Sequence, residues 1–197
     1  NIGVGRNSAD ALTSGACNIA IGTDALGAAT DNCGNVAIGQ NALAASVNDG
    51  DFNVGIGYTA LGGADVSGGY NVGIGAAAAD AITSGNNNVA LGLNAMGAAT
   101  TTCDSVAIGN QALGGAATTG INNIAVGNSA MDALTSGKCN VAIGINALGA
   151  STTGCENIAI GNLALGATDV TGSNNYAIGS AAADAITTGA CNVAIGY

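Results

Sequence analysis

The pentapeptide Asn-Val-Ala-Ile-Gly stands at residues 35–39, 140–144 and 192–196, and close variants of it recur along the whole chain. Counted from the asparagine, copies begin at residues 1, 18, 35, 53, 71, 88, 105, 123, 140, 157, 175 and 192. Every interval is 17 or 18 residues. A short fixed period means stacked supersecondary units, each touching only its neighbours, in place of a globular core. The chain is therefore predicted to be an all-β β-solenoid (a β-helix or β-roll). It would form one domain over residues 1–197, with eleven full rungs and one partial rung. Such an object is a rod or a surface, and no single place along it stands out as a catalytic centre.

Within a rung, position 2 is Ile or Val (once Tyr176), position 4 is Ile or Val (once Leu91), and position 3 is only Ala or Gly. Apolar residues two apart with a β-branched bias describe a short strand with one buried face. This predicts positions 2 and 4 inside and position 3 outside, where a small flat face would suit close lateral packing. Position 5 is Gly in all twelve copies, the mark of a corner that needs positive φ or close backbone approach.

The second half of the rung carries compensating volumes. Position 9 is mostly large and position 12 small, as in Leu26 with Ala29 and Leu61 with Ala64. The pair is reversed in Ala9 with Leu12, Ala79 with Ile82 and Ala183 with Ile186, while Met131 with Leu134 is large at both. Swapping volume at constant sum is expected of two columns that share one interior. The single Phe and four Tyr, with no Trp, agree with a narrow interior of small aliphatics.

Position 1 is Asn in eleven rungs, Ser105 being the exception. Stacked Asn side chains can hydrogen-bond along the axis as a ladder. No Asn-x-Ser/Thr sequon occurs, which speaks against N-glycans. A higher period overlies the first. Asp10, Asp80, Asp132 and Asp184 occupy position 10 in the rungs that begin at 1, 71, 123 and 175, so a three-rung block of 52 residues repeats, with rung 53–70 inserted once. These acids lie roughly 15–20 Å apart, beyond a Debye length at physiological salt.

Cys17 and Cys33 are 16 residues apart, and so are Cys139 and Cys155. That spacing puts each pair on adjacent rungs, offset by one residue, and predicts two cross-rung disulfides in an oxidising, extracellular setting. Cys103 faces Asn87 where a partner is expected and is read as a free thiol or a lateral link. By the same rule the partner of Cys191 would lie beyond residue 197. Two sulfurs per site and no His leave zinc poorly served.

A net charge of −10, with Arg6 and Lys138 the only bases, argues against nucleic acid or an anionic membrane surface as partner. Gly, Asn and Asp interrupt every apolar run, so no segment of membrane-spanning length exists. Without His there is neither an imidazole base nor a triad of the usual type. Glu156 is the only glutamate, and the aspartates are scattered along the rod. The expectation is no enzyme and no cofactor. Asp31, Asp49, Asp51, Asp65 and Asp169 are the turn acids that could meet calcium, but the nonapeptide signature is missing and solvated turn acids explain them. Thr13, Thr30, Thr83, Thr100, Thr135, Thr152 and Thr187 form a column that Val47, Asp65, Ala117 and Asp169 interrupt, a poor ice-binding array.

The Asn-Val-Ala-Ile-Gly strand resembles the Ser-Val-Ala-Ile-Gly repeats in the heads of trimeric autotransporter adhesins, and residues 105–109 match that form. The unit at 146–154, Asn-Ala-Leu followed by Thr-Thr-Gly, is similar to repeats of phage and viral tail fibres. The resemblance implies a left-handed, trimeric β-roll that binds surfaces. Two functions follow as expectations. The first is a structural unit of an extracellular, cell-surface or virion-surface filament, assembled from copies of itself end to end and also laterally or as trimers. The alternative is a module that binds a receptor or glycan, for which Phe52, Tyr58 and Tyr70 around rung 53–70 are the candidate patch. Asn1 opens a rung in register and Tyr197 stops one residue past a corner glycine, so the chain is expected to continue into further rungs or to polymerise.

Overall fold

In the computed structural model, which describes residues 1–47 and 50–197, each rung contributes one three-residue strand. The strands are β1 (Ile2–Val4), β2 (Ile19–Ile21), β3 (Val36–Ile38), β4 (Val54–Ile56), β5 (Val72–Ile74) and β6 (Val89–Leu91), then β7 (Val106–Ile108), β8 (Ile124–Val126), β9 (Val141–Ile143), β10 (Ile158–Ile160), β11 (Tyr176–Ile178) and β12 (Val193–Ile195). They form one parallel twelve-stranded sheet in sequence order, without a helix among the described residues. Equivalent positions pair throughout, Ala37 with Gly55 and Ala142 with Ala159 for example. This is the expected β-solenoid of about eleven turns.

The strand is turned over relative to expectation. Ala20, Ala37, Ala90, Ala107, Ala125, Ala142, Ala159 and Ala177 at position 3 are fully buried. The Val and Ile at positions 2 and 4 are half-buried or exposed, Ile143 at 41% and Ile178 at 43%. The reason is the asparagine. From Asn18 to Asn175 each Asn at position 1 is buried, and its Nδ2 donates across its own rung, Asn35 to the Gly50 carbonyl and Asn140 to the Gly154 carbonyl. Its Oδ1 accepts the backbone N–H of the next Asn, as Asn18 Oδ1 does from Asn35 at 2.8 Å. A group so bonded must point inward, and strand alternation carries position 3 inward with it. Positions 2 and 4 are then outside.

The bulk missing from the strand is supplied by the turns. Leu26, Leu43, Leu61, Met96, Leu113, Leu148 and Leu165 at position 9 are fully buried, with a column of alanines at position 8. Ala79 with Ile82, Met131 with Leu134 and Leu26 with Ala29 lie in one core cluster, as the volume swap requires. Rung 53–70 departs from this, whereas Ser46 keeps the position-12 place in rung 35–52: Ala64 is only half-buried, and Val66, two residues on, takes its place inside. Val170 does the same in rung 157–174.

Overlapping turns shape this half. Ala25 N–H donates to the Gly22 carbonyl, Gly27 to Asp24 and Ala29 to Leu26, with φ of 57° at Asp24 and 50° at Leu26. Positive φ at the third residue is the type II pattern, congenial to Asn or Asp but costing a leucine about 1 kcal/mol or more. Leucine is held there by burial and by an axial bond, Leu26 N–H to the Ala42 carbonyl. The corner glycine meets the expectation. Its φ is 130–139° in every rung, and a Cβ on Gly22 would sit 2.5 Å from the Gly39 carbonyl oxygen.

Candidate functional site

Turning the strand over creates the most unusual surface of the molecule. Two columns of Val, Ile, Leu and one Tyr, at positions 2 and 4, run side by side on the outer face of the sheet from β1 to β12. No charged residue occurs at positions 1–5 of any rung, although twelve acids sit elsewhere on the chain. At about 4.8 Å per rung the face is roughly 50 Å long. Soluble monomers seldom expose an apolar patch of more than a few hundred Å².

Position 6 forms one flank. It holds exposed Tyr58, Leu93 (50%) and Ile145 (52%) among polar residues such as Gln40, Asn110, Asn128 and Asn162. The residue before each Asn forms the other flank, and every member of this column has positive φ: Cys17, Gly34, Phe52, Tyr70, Asn87, Asp104, Asn122, Cys139, Glu156, Asn174 and Cys191.

The structure brings two of the three aromatic candidates together. Phe52 and Tyr70 stack with ring centroids 5.3 Å apart and planes at 13°. Tyr58 lies on the opposite flank, with strand β4 between it and Phe52. The stack runs along the rod axis. One face of Phe52 covers Gly34, where a Cβ would be 2.6 Å from the ring, and the other faces Tyr70. Its faces are thus occupied within the chain, and the pair presents edges outward.

All six cysteines are free thiols in the structure, so the two expected disulfides are not formed in it. Cys33 and Cys155, in the second-to-last column, turn their Sγ atoms to the carbonyls of Asp31 and Thr153 in their own rungs. Cys103 does likewise toward Thr101 and also accepts the Asn86 N–H.

The turn acids serve as hydrogen-bond acceptors. Asp51 accepts the Cys33 N–H, Asp65 the Val47 N–H, and Asp169 both the N–H and the hydroxyl of Thr152. Asp49 lies outside the described residues. Among the described residues no cluster of three metal-ligating groups exists, and no helix is long and apolar enough to cross a membrane. The hydroxyls of Thr13, Thr30, Thr83 and Thr135 donate to carbonyls of the following rung, which gives that column an axial bonding role. Burial pushes the carboxyls of Asp80 and Asp132 above the ordinary aspartate value, with the Gly63 amide pulling Asp80 partly back.

One compensation escaped the sequence reading. Ser105 has no amide to reach the Gly120 carbonyl, and the Thr102 hydroxyl from the preceding rung bonds that carbonyl instead. The signal was present, since Thr102 is the only threonine three residues before a rung start, and the rung it precedes is the one that begins with Ser.

No family model matches the chain, and neither a curated protein nor a solved structure matches it.

Proposed function

We propose that the chain is a non-catalytic structural rod whose copies join side by side through the aliphatic sheet face, as the unit of a fibre at a cell or virion surface. The carrying observation is the double Val/Ile column, uncharged through twelve rungs of a chain with net charge −10. Taking a width near 10 Å, the face offers about 500 Å² per copy, so a pair would bury about 1,000 Å², the lower end of specific interfaces. Another copy presents the same rung spacing, which lets aliphatic side chains interdigitate along the full length. Acids stay outside the contact, so the charge does not oppose it over short range.

A receptor- or glycan-binding module remains the second reading, favoured by the one interruption of the pattern at Phe52, Tyr58 and Tyr70. It has less to stand on, because the Phe52 ring faces are covered within the chain.

Sedimentation of the parent and of the triple variant Ile108→Lys, Ile143→Lys, Ile178→Lys tests the proposal. Three lysines lower the net charge from −10 to −7, so a loss of association cannot come from greater repulsion. The parent should sediment as an oligomer and the variant as a folded monomer. A parent that stays monomeric at high concentration would end the lateral-assembly reading and put the binding module first.

A further inference from the structure

We propose that the joints between a first-type rung of the 52-residue block and the rung after it are disulfide sites. Cys17–Cys33 and Cys139–Cys155 would close by thiol–disulfide exchange, and the Asn87/Cys103 joint is one substitution short of a third. This does not depend on the fibre reading.

The internal repeat acts as its own comparison. The three joints place residues 17 and 33, 87 and 103, and 139 and 155 in the same two columns, and five of these six positions are Cys. The last column of the rung demands positive φ, 61° at Cys17 and 58° at Cys139, and outside the three joints it holds Phe52, Tyr70, Glu156 and Cys191 beside Gly34, Asp104, Asn122 and Asn174. Local backbone preference favours Gly, Asn and Asp and gives no reason for cysteine.

The backbone bonds set the columns in register at all three joints, since Gly34 N–H donates to the Ala16 carbonyl, Asp104 N–H to the Asn86 carbonyl and Glu156 N–H to the Lys138 carbonyl. A diagonal pair one strand spacing apart and one residue along has Cα atoms about 6 Å apart, inside the disulfide range. At the Asn87/Cys103 joint the Asn87 amide donates to Asp104 Oδ1 in the following rung at 3.0 Å, so residue 87 and the Cys103 thiol each hold a replaceable contact next to the other's column. Cys103 Sγ lies 3.4 Å from the backbone nitrogen of Asn86, the residue next to 87 in the rung before. The contacts that hold the corresponding thiols, 3.3 Å from Cys33 Sγ to the Asp31 carbonyl and 3.5 Å from Cys155 Sγ to the Thr153 carbonyl, are weak and easily exchanged.

The chemistry balances with a small disulfide such as oxidised glutathione. The thiolate of exposed Cys17 attacks one glutathione sulfur, forming a mixed disulfide and releasing one glutathione thiolate. The Cys33 thiolate then attacks the Cys17 sulfur, the cross-rung bond forms, and the second glutathione leaves. Two protein thiols are oxidised, one glutathione disulfide is reduced, and the two protons pass to the released thiolates.

The test is equilibration of the folded chain with oxidised glutathione, alkylation of remaining thiols, and peptide mapping without reduction. The parent should yield Cys17–Cys33 and Cys139–Cys155, with Cys103 and Cys191 alkylated or carrying glutathione. The Asn87→Cys variant should add a third cross-link, from residue 87 to Cys103. Alkylation of all of Cys17, Cys33, Cys139 and Cys155 in the equilibrated parent would overturn the proposal. So would Cys17 joined to a partner other than Cys33, or a folded Asn87→Cys chain with Cys103 still free. The parent map decides the matter even if the variant does not fold.

Discussion

The two halves of a rung solve the packing problem in opposite ways. The strand half is regular and β-branched, yet it keeps its Val and Ile outside and gives the interior a single methyl group, as at Ala142 between Val141 and Ile143. The turn half is irregular, with positive φ at both Asn146 and Leu148, yet it buries Leu148 completely. Bulk therefore enters the core through strained turns, and regular strand supplies the surface. The difference teaches that alternation identifies two faces but does not say which is buried. A buried polar group that must be satisfied decides it. Here that group is Asn140, whose Nδ2 bonds the Gly154 carbonyl and whose Oδ1 accepts the Asn157 N–H.

The strongest way to break this comparison is to exchange sizes across one strand. Ala142→Leu would push three more carbons into a column where even a Cβ built on Gly55 stands 2.9 Å from the Ala60 carbonyl oxygen. Overpacking costs typically 1–3 kcal/mol and more where backbone cannot move, so this variant should lose the cooperative transition around β9. Its neighbour Ile143→Lys, on a side chain 41% exposed, should change the stability of the isolated chain by less than about 1 kcal/mol. Thermal unfolding by circular dichroism reads both. The opposite ranking would restore the inward Val/Ile arrangement.

Much of the fold was legible because the period is strict. Rung starts, the parallel in-register pairing, the corner glycine and the volume exchange between Ala79 and Ile82 all follow from spacing and residue size. The facing of the strand was not. Hydrophobicity argued for Ile143 inside, and the competing demand of the Asn140 amide is invisible until the rung closes on the Gly154 carbonyl. The candidate surface inherited that error: the small flat face expected outside is the core, and the outer face is aliphatic. Position 12 misled for a simpler reason. The extra residue of rung 53–70 shifts the buried place from Ala64 to Val66, while rung 35–52 of the same length keeps Ser46 inside, and nothing local in the sequence marks where the insertion is absorbed.

A second, smaller test sharpens the role given to buried polar groups. Thr102→Val removes the hydroxyl that bonds the Gly120 carbonyl and leaves that buried oxygen without its partner, a loss of about 1–3 kcal/mol. Adding Ser105→Asn should recover most of it, because Asn at position 1 bonds the equivalent carbonyl in other rungs, as Asn123 does to Gly137. The two substitutions should therefore be coupled by more than about 0.5 kcal/mol in a double-mutant cycle of denaturant midpoints. Strict additivity would show that Gly120 finds another donor and that the ladder tolerates a gap.

The smallest effect expected concerns the acids at the block joints, where the turn half meets a 17-residue rung below it. Asp80 has one buried carboxyl oxygen, Oδ1, without a hydrogen-bond partner, and burial raises its pKa above 3.8; Asp132 is raised for the same reason. A carboxyl raised in the folded chain favours folding most when protonated. Its contribution is fully present below pH 3.8 and is lost as pH climbs through the folded value. At neutral pH both carboxylates are charged in half-buried sites and weigh against the fold. Asp80→Asn and Asp132→Asn remove that charge and keep an acceptor oxygen, so each should raise the thermal midpoint at pH 7 by at most about 2 °C, solvent screening keeping the gain small. The gain should shrink as pH falls and vanish near pH 3, where the parent carboxyls are protonated. Comparing each variant with the parent at each pH cancels the other eleven acids, which titrate in both chains. A midpoint gain that stayed constant from pH 7 to pH 3 would mean the Asn side chain packs better than the acid. The carboxyls would then be structural bystanders, and the joint between rung types would owe nothing to their charge.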